Sequence, residues 1–327
     1  MRAKIVVTRA IHADALALLR KQGDVRLWDQ PRPIPADTLR EWLEDADAAL
    51  TMLTDRIDGD TVLRASRLRI VANMAVGYDN LDVSALTAQG ILATNTPDVL
   101  TEATAELTWA LILALMRGVV SSREALLAGA WQSWSPDAFL GTELAGKTLG
   151  IVGLGRIGRA VARRAPAFQV KVVALESRRG SLEQPDIPRL PREAFLGTAD
   201  IISLHVPLTP QTHHLVDQAW LAHMKPGAFL VNTARGAVVD EVALKAALDS
   251  GHLQGAALDV FAEEPVDSRH PLVSHPRVLA TPHIGSATYE TRRAMALRAA
   301  ENLVAALQGT RPRDLLNPEA WPGGLGG

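Results

Sequence analysis

Short runs of apolar, often β-branched residues recur along the chain and predict β-strands. The predicted strands cover residues 5–7, 70–71, 148–152, 170–175, 200–204, 228–231, 256–260 and 278–281. Stretches with helical spacing lie between most of them; in 240–249, for example, Val242, Ala243, Ala246 and Ala247 share one helix face. Strands that alternate with helices indicate βαβ units and a parallel sheet. Almost wholly apolar strands such as V-K-V-V-A-L are typical of a sheet covered on both faces.

Two longer helical patterns flank the central part of the chain. The first covers 101–116 and the second about 287–307. If these helices connect two domains, residues 1–98 and 287–327 form one discontinuous domain around a central domain of residues 99–286. Alternatively, both are ordinary core helices, and periodicity alone favours neither interpretation.

The composition is that of a globular protein with a large core. The 327 residues are about twice the length of a typical domain, which favours two domains. The formal net charge is −2 and the basic residues are scattered, so no nucleic-acid-binding surface is expected. The chain has no cysteine, which excludes disulfides, thiolate metal sites and a cysteine nucleophile. We expect no bound metal.

The apolar runs are too short for a secretory signal or a membrane span. The N-terminal M-R-A-K-I-V-V-T contains only a short apolar run, whereas a secretory signal needs a longer one and a small-residue cleavage site. The longest apolar run, 109–116, is far shorter than the roughly 20 residues that span a bilayer. We therefore expect a cytoplasmic protein with no membrane partner.

A glycine-rich stretch at 148–158 indicates a dinucleotide-binding turn. It reads T-L-G-I-V-G-L-G-R-I-G, with an apolar strand leading in and an alanine-rich helical pattern leading out. In such a turn Gly153 permits the tight bend, Gly155 lets the backbone approach a pyrophosphate, and Gly158 lets the helix lie close to the strand. The helix N-terminus then presents free N–H groups to the phosphates. The alternative is a strand-to-helix turn with a purely structural role.

The residues after the next strand bear on the choice of cofactor. Glu176 closes the strand V-K-V-V-A-L, where a carboxylate accepts hydrogen bonds from the adenosine ribose and repels a 2′-phosphate. Ser177, Arg178 and Arg179 follow, and a basic pair there also suits the 2′-phosphate of NADP, unless the segment is only a solvated turn. We predict NAD, with NADP as the alternative.

Three consecutive strands in the second half of the chain end near residues that carry chemistry. Arg235 follows one predicted strand, and His283 follows another. Asp259 lies near the end of the strand between them, with Glu264 just beyond. In an open α/β sheet that edge binds ligands. Taken singly, each residue has an ordinary alternative as a surface charge or turn residue, but their joint position after a dinucleotide turn favours an active site.

Reduction of a 2-keto acid needs these residue types. A guanidinium pairs bidentately with the substrate carboxylate and polarises the ketone. A proton donor with a pKa near neutrality must act as hydride arrives, and histidine has that range. A carboxylate beside the histidine fixes its ring. In the oxidative direction the same histidine is the base, so the pattern predicts a dehydrogenase acting on 2-hydroxy or 2-keto acids.

The chain resembles the D-2-hydroxyacid dehydrogenase family over nearly its whole length. The matching motifs are M-A-V-G-Y-D-N-L-D (74–82), P-D-V-L-T-E-A-T-A-E-L (97–107), G-L-G-R-I-G (153–158), H-V-P-L-T-P-Q-T (205–212), N-T-A-R-G-A-V-V-D (232–240), A-L-D-V-F-A-E-E-P (257–265) and T-P-H-I-G-S-A (281–287). The resemblance implies an α/β fold of two Rossmann-like, doubly wound parallel-sheet domains with a cleft between them. It also implies an NAD(P)-dependent oxidoreductase and a homodimer joined through the cofactor domain.

The resemblance implies roles for individual residues in catalysis and substrate binding. Arg235, Glu264 and His283 match the catalytic trio, of which Arg235 and His283 also contact the substrate. Val76 and Gly77 match the loop whose backbone amides hold the substrate carboxylate.

The resemblance also implies a set of cofactor contacts. Asp259 matches the residue that hydrogen-bonds the nicotinamide carboxamide. The other expected contacts are Thr104, Gly153, Gly155, Arg156, Ile157, Gly158, Glu176, Arg178, Val206, Pro207, Thr212, Thr233, Ala234 and Gly285.

Within the family, the chain is most similar to glyoxylate and hydroxypyruvate reductases, through G-A-W-Q-S-W-S-P (129–136) and T-P-H-I-G-S-A-T (281–288). Glu176 departs from that branch, many members of which prefer NADP and carry a neutral residue there. Alternatives are a phosphite dehydrogenase or another 2-hydroxyacid dehydrogenase of the same fold, since loops such as the one containing Leu53 set substrate size. A non-catalytic NAD sensor similar to corepressors is a further alternative. Trp131 and Trp134 are expected to anchor a dimer arm or to edge the substrate pocket.

Overall fold

The computed structural model describes residues 2–176 and 187–322, and the chain divides into two compact units. The first unit comprises Met1–Leu100 and Ala287–Gly327, and the second comprises Thr101–Ser286. The C-terminal residues therefore belong to the same unit as the N-terminal ones.

Strands and helices alternate along the first unit and along most of the second. The elements of the first unit are β1 (Ala3–Val7), α1 (Ala13–Gln22), β2 (Gly23–Leu27), α2 (Ala36–Glu44), β3 (Ala48–Thr51), α3 (Gly59–Arg64), β4 (Ile70–Asn73), α4 (Val83–Ala88), β5 (Leu92–Thr94) and, after the second unit, α11 (Tyr289–Leu307). Those of the second unit are α5 (Thr101–Met116), α6 (Val119–Leu127), β6 (Thr148–Val152), α7 (Arg156–Ala162), β7 (Lys171–Leu175), β8 (Arg189–Leu190), α8 (Arg192–Thr198), β9 (Ile201–Leu204), α9 (Gln218–Ala222), β10 (Ala228–Asn232), α10 (Glu241–Asp249), β11 (Leu253–Leu258) and β12 (Val278–Ala280). In the described ranges no single helix is long and apolar enough to cross a membrane; only α5 and α6 taken together, with a bend of 58° between them, have that length and composition.

The first unit is built on a five-stranded parallel sheet with the order β2-β1-β3-β4-β5. Alternate side chains such as Val6 and Val71 pack with Leu43 of α2 and Leu86 of α4 on one face. Helices α1 and α11 contact each other, and α11 contacts β3, β4 and β5. Because α11 covers strands from the start of the chain, the discontinuous unit has one continuous core.

The second unit is built on a seven-stranded parallel sheet with the order β12-β11-β10-β9-β6-β7-β8. Strand β10 shows how both faces are covered. Val231 packs with Ile112 of α5 on one face, and Leu230 packs with Phe195 of α8 and Leu244 of α10 on the other. The strand order reverses at β6, whose neighbours are β7 and β9, and such a switch point is where doubly wound sheets bind dinucleotides. The predicted doubly wound parallel fold is confirmed.

The prediction of one helix face was wrong. Helix α10 buries Ala243, Leu244 and Leu248, whereas Val242 is 81% exposed. Residues two positions apart lie roughly 200° apart around a helix, so a face centred on Leu244 turns Val242 to solvent.

Several strand limits were also wrong. The strand predicted at 256–260 begins at Leu253 and ends at Leu258, so Asp259 follows it rather than lying within it. Strands β2, β3, β5 and β8 were not predicted, because each is short and some, such as G-D-V-R-L, mix polar and apolar residues.

Candidate active site

Arg235, Asp259 and His283 follow the carboxyl ends of β10, β11 and β12, which are neighbours in the seven-stranded sheet. Glu264 lies five residues beyond Asp259. The structure brings Glu264 and His283 into direct contact, and the charge of Arg235 acts on Glu264. The predicted trio therefore meets at one edge of the sheet.

The loop that carries Arg235 is fixed by its own residues and by a glycine. Asn232, the last residue of β10, donates from Nδ2 to the Arg235 carbonyl (2.9 Å) and accepts at Oδ1 from the Ala234 N–H (3.0 Å). A Cβ on Gly236 would lie 1.8 Å from the carbonyl carbon of Phe261. Only glycine lets this loop lie directly against the loop that leads to Glu264, and neither Asn232 nor Gly236 was assigned a role from the sequence.

Glu264 holds the ring of His283. His283 Nδ1 lies 2.6 Å from Glu264 Oε2, while Glu264 Oε1 accepts from the Phe261 N–H at 3.0 Å. Burial raises the pKa of Glu264, but the hydrogen bond and charge of His283, the Phe261 N–H and the charge of Arg235 outweigh it and hold that pKa below its ordinary value. Since an ionised carboxylate only accepts hydrogen bonds, Nδ1 carries a proton and Nε2 is the atom left for proton exchange with a substrate.

Asp259 orders the turn on which His283 lies. The Asp259 side chain is buried and accepts three hydrogen bonds: from the Ile284 N–H (2.8 Å), the Gly285 N–H (2.8 Å) and the Thr281 hydroxyl (2.7 Å). The His283 N–H donates to the Asp259 carbonyl at 2.8 Å, and His283 has a φ of +53°, which is uncommon for a residue with a side chain. Burial, opposed by these hydrogen bonds and by the charge of His283, raises the pKa of Asp259. The carboxylate expected to contact the nicotinamide thus also fixes the backbone around His283.

The geometry of the glycine turn explains each of its glycines. Gly153 has a φ of +97°, and a Cβ there would lie 2.6 Å from the carbonyl oxygen of His205. A Cβ on Gly158 would lie 2.2 Å from the Gly153 carbonyl oxygen, so a larger residue would push α7 off β6. A Cβ on Gly155, by contrast, would meet no heavy atom within 4 Å, so the backbone there faces open space. A turn of this shape fits a pyrophosphate, with Arg156 and Ile157 beginning the helix behind it.

Glu176 lies directly after β7 and is exposed. Strand β7 is the neighbour of β6, the strand that leads into the glycine turn. Its backbone N–H donates to the Leu190 carbonyl at 3.0 Å, which holds the residue at the end of the sheet. Arg178, the alternative cofactor contact, lies outside the described residues. The described residues at this position therefore present a carboxylate, which suits a ribose diol.

Two further loops bring expected cofactor contacts to the same edge. Val206 and Pro207 follow β9, and the Thr212 hydroxyl, which donates to the Pro207 carbonyl (2.6 Å), closes their loop. Thr233, after β10, has its hydroxyl 3.1 Å from that of Thr108 on α5.

Thr104, one turn before Thr108 on α5, ties that helix to the turn after β12. Its hydroxyl donates to the Gly285 carbonyl at 3.1 Å. Thr108 was not predicted, although it shares a helix face with Thr104.

His205 is another residue near the glycine turn that was not predicted from the sequence. Its Nε2 lies 2.9 Å from Ser203 Oγ, and burial lowers its pKa to about 3, so the ring is neutral at physiological pH. Its backbone N–H donates to the Val152 carbonyl (2.7 Å), and its own carbonyl abuts Gly153. The available signal was a histidine directly after a short, mostly apolar strand, I-I-S-L.

The expected substrate loops lie at the carboxyl edge of the sheet in the first unit. Leu53 follows β3, and Val76 and Gly77 follow β4. The Val76 carbonyl accepts from Asn95 Nδ2 (2.8 Å) and the Gly77 carbonyl from Asn73 Nδ2 (3.1 Å). Within the described part of the chain, the N–H groups of Val76 and Gly77 make no hydrogen bond, which suits donors for a carboxylate.

Comparison with known proteins identifies related sequences across the whole chain. Residues 109–285 match the family model of the D-isomer specific 2-hydroxyacid dehydrogenase, NAD binding domain. The chain is 49% identical over 324 residues to a glyoxylate reductase of Aeropyrum pernix, with 97% of each chain covered. It is 46% identical to a glyoxylate reductase of Pyrococcus furiosus, with 98% of this chain and 96% of that relative covered.

Solved structures show the same similarity. A protein from Thermus thermophilus has a TM-score of 0.90 and 45% identity, covering 96% of this chain and 99% of its own. An NADPH-dependent glyoxylate/hydroxypyruvate reductase from Sinorhizobium meliloti, solved in complex with NADP and malonate, has a TM-score of 0.84 and 32% identity, with 98% of each chain covered. With a matching family model, and with relatives and solved structures that cover nearly the whole chain, the chain belongs to the D-isomer specific 2-hydroxyacid dehydrogenases.

Proposed function

We propose that this oxidoreductase reduces a small 2-keto acid, glyoxylate or hydroxypyruvate, to the corresponding 2-hydroxy acid. The observation that carries the proposal is the 2.6 Å contact between Glu264 and His283, with Arg235 at the end of the neighbouring strand β10. A guanidinium, a carboxylate and an imidazole are the groups that this reduction needs. The glyoxylate reductases among the relatives support this substrate class.

The proposed chemistry assigns one task to each side chain. His283 gives the proton on Nε2 to the carbonyl oxygen, while Glu264 keeps the other ring nitrogen protonated and stabilises the positive ring before transfer. Arg235 pairs with the substrate carboxylate and polarises the carbonyl. The family resemblance also supports a role for the backbone N–H groups of Val76 and Gly77 as donors to a substrate carboxylate. A bound reduced nicotinamide supplies the hydride, and in the reverse direction His283 takes the proton back.

We infer that NAD is the preferred cofactor. The open backbone at Gly155 accommodates the pyrophosphate, and the exposed carboxylate of Glu176 accepts hydrogen bonds from the ribose and repels a 2′-phosphate. Asp259 and the other predicted cofactor residues that the structure describes lie around the same edge of the sheet, and their contacts with the cofactor stay predictions.

The test follows the absorbance of the reduced nicotinamide. Wild-type enzyme is assayed with glyoxylate, hydroxypyruvate and pyruvate, each against NADH and NADPH, and Arg235→Ala is the control for dependence on the site. Turnover with glyoxylate or hydroxypyruvate, and a higher kcat/KM with NADH, is expected. Binding of NADH without turnover of any keto acid would refute the proposal and favour the non-catalytic sensor, whereas reduction of NAD by phosphite would favour the phosphite dehydrogenase.

We also propose a homodimer joined through the second unit. Helix α6 and the segment after it expose a run of large apolar side chains: Val119, Val120, Leu126, Leu127, Trp131, Trp134, Phe139 and Leu140. Trp134 is 80% exposed and Leu140 76%, so a second copy that covered them would gain from their removal from water. Light scattering should give twice the mass of the chain, and a Trp134→Ser/Leu140→Ser variant should shift the measured mass toward that of the monomer.

A cytoplasmic location stays a prediction from the sequence.

A further inference from the structure

Asn80 holds one of two loops in the first unit directly and is connected to the other through Asn73. We call residues 52–55, which follow β3, the size loop, and residues 75–77, which follow β4, the carboxylate loop. Asn80 Nδ2 donates to the carbonyl of Met52 (3.1 Å) and to that of Asp55 (2.8 Å). The two hydrogens of this amide thus hold both ends of the size loop.

Asn73 extends the connection to the carboxylate loop. Its Nδ2 donates to Asn80 Oδ1 (3.1 Å) and to the Gly77 carbonyl (3.1 Å), and its Oδ1 accepts from the Thr51 hydroxyl (3.2 Å). Asn73 is completely buried, so both of its amide hydrogens must be satisfied within the protein. Loss of Asn80 would leave one of them without its acceptor, so the side chain of Asn73 would be fixed less firmly against the Gly77 carbonyl.

The size loop is also held from its other side. The buried carboxylate of Asp55 accepts from the Met52 N–H at 2.7 Å and from the Thr8 hydroxyl. Met52 is therefore fixed at its N–H by Asp55 and at its carbonyl by Asn80. Since Leu53 directly follows Met52, these bonds determine where the Leu53 side chain lies.

Asn80 and the size loop line the same cavity. A cavity of about 430 Å³ is lined by Leu53 and Thr54 on one side and by Asp79 and Asn80 on the other. Asn80 is both part of one wall and the hydrogen-bond donor that holds the other. A change in its contacts therefore changes the distance between the walls.

We propose that Asn80 is a positioning residue that couples the size loop to the carboxylate loop and so determines substrate affinity and size selectivity. The inference rests on the proposed function, in which the N–H groups of Val76 and Gly77 hold the substrate carboxylate. Asn80 acts through the two loops and has no part in proton or hydride transfer. Its loss therefore weakens binding of the ground state and of the transition state alike.

The test is the Asn80→Ala variant of the full chain, assayed for steady-state reduction of glyoxylate and of the bulkier pyruvate with NADH. The KM for glyoxylate is expected to rise about 10-fold while kcat stays within about threefold, as for the loss of uniform binding. The preference for glyoxylate over pyruvate in kcat/KM is expected to shrink by about threefold or more, because a loosened loop excludes the larger acid less well. The KM for NADH should not change.

Asn317→Ala is the matched control. Asn317 is a completely buried amide in the same unit with three partners, the Ala93 N–H (2.8 Å), the Thr87 hydroxyl (3.0 Å) and the Ile91 carbonyl (2.9 Å), and it contacts neither loop. The Asn317→Ala variant is expected to lower the Tm of the protein and to leave the KM for glyoxylate and the KM for pyruvate unchanged. Asn80→Ser retains one donor and is expected to raise the KM less than Asn80→Ala does; it replaces the alanine variant if that variant does not fold.

The outcomes separate the two proposals. If wild-type enzyme is active and the Asn80 variants match Asn317→Ala in KM and selectivity, the coupling role is overturned and the proposed function stands. A fall in the kcat of Asn80→Ala for glyoxylate, with an unchanged KM for glyoxylate, overturns the coupling role as well. If the wild-type enzyme reduces no keto acid, the proposed function and this inference fall together.

Discussion

Replacing Glu264 by glutamine removes the negative charge beside His283 and keeps the size of the side chain. The contact between Glu264 Oε2 and His283 Nδ1 is 2.6 Å, in the range of charge-assisted hydrogen bonds, and the two side chains are only 26% and 25% exposed. The interaction is therefore screened less by water than an ion pair on the surface. We expect the variant to lose turnover because its neutral amide stabilises the positive ring less.

The size of the effect follows from the kind of bond that is lost. A hydrogen bond to a charged group contributes about 1.5–3 kcal/mol. This contribution stabilises the proton-donating form of His283, and each 1.36 kcal/mol of it that is lost lowers the rate of reduction about tenfold. The expected fall in kcat/KM for glyoxylate is therefore about 10- to 150-fold. Activity above background should persist, since His283 and Arg235 are still present.

The assay is NADH oxidation by wild type, Glu264→Gln and the control Glu263→Gln. Glu263 is the exposed neighbour of Glu264, so its variant makes the same change of charge one residue away. Binding of NADH, measured by fluorescence, should be equal in all three proteins. A Glu264→Gln variant with a kcat/KM within about threefold of the Glu263→Gln control would show that the negative charge of Glu264 contributes little to turnover.

Three further predictions concern other parts of the second unit. His283→Ala should lower kcat by about 100-fold or more, as expected for loss of a general acid, with NADH binding retained; turnover near that of wild type would contradict the assignment. Gly236→Ala should lower the free energy of unfolding by about 1–3 kcal/mol or more, because the new Cβ would lie 1.8 Å from a backbone carbon. The control is Gly197→Ala in α8, where a Cβ would meet no atom within 4 Å, and it should raise the free energy of unfolding by up to about 1 kcal/mol. Equal effects of the two variants in urea unfolding would contradict the steric clash at Gly236. Burial opposes the ionisation of Asp200, but hydrogen bonds, one of them from Lys225 at 2.5 Å, hold the pKa of Asp200 below its ordinary value. The ionised Asp200 therefore contributes its full stabilisation above about pH 4. That stabilisation is lost as the pH falls through the lowered pKa. Asp200→Asn should therefore cost about 1–3 kcal/mol at neutral pH and progressively less below about pH 4, and a cost that is constant with pH in urea unfolding would argue against this role.

Much of the candidate site could be predicted because its signals are local. Gly153 and Gly158 are required by the bend of a single strand–turn–helix unit, and the spacing of such a unit is visible in the sequence. The placement of Arg235 and His283 at strand ends needed only the limits of two strands. That both ends lie at one edge, with β11 between β10 and β12, followed from the rule that consecutive parallel strands tend to lie side by side.

The parts that could not be predicted depend on residues far apart in the chain. Gly236 must be glycine because of the backbone of Phe261, 25 positions later, and no pattern around Gly236 records that neighbour. The bonds of Asn80 to the size loop and to Asn73 likewise join segments whose distance is known only once β3 and β4 are paired.

The sequence by itself determined the alternation of strands and helices, the dinucleotide turn and the chemical types of the catalytic trio, since these depend on residue type and short-range spacing. Which atoms meet depends on the tertiary structure: His283 faces Glu264 through Nδ1, Asp259 fixes the turn around His283, and Asn80 hydrogen-bonds the size loop and Asn73. The physical reason is range. Backbone preferences and amphipathic periods act over a few residues, whereas hydrogen bonds between loops exist only after the sheets have brought those loops together.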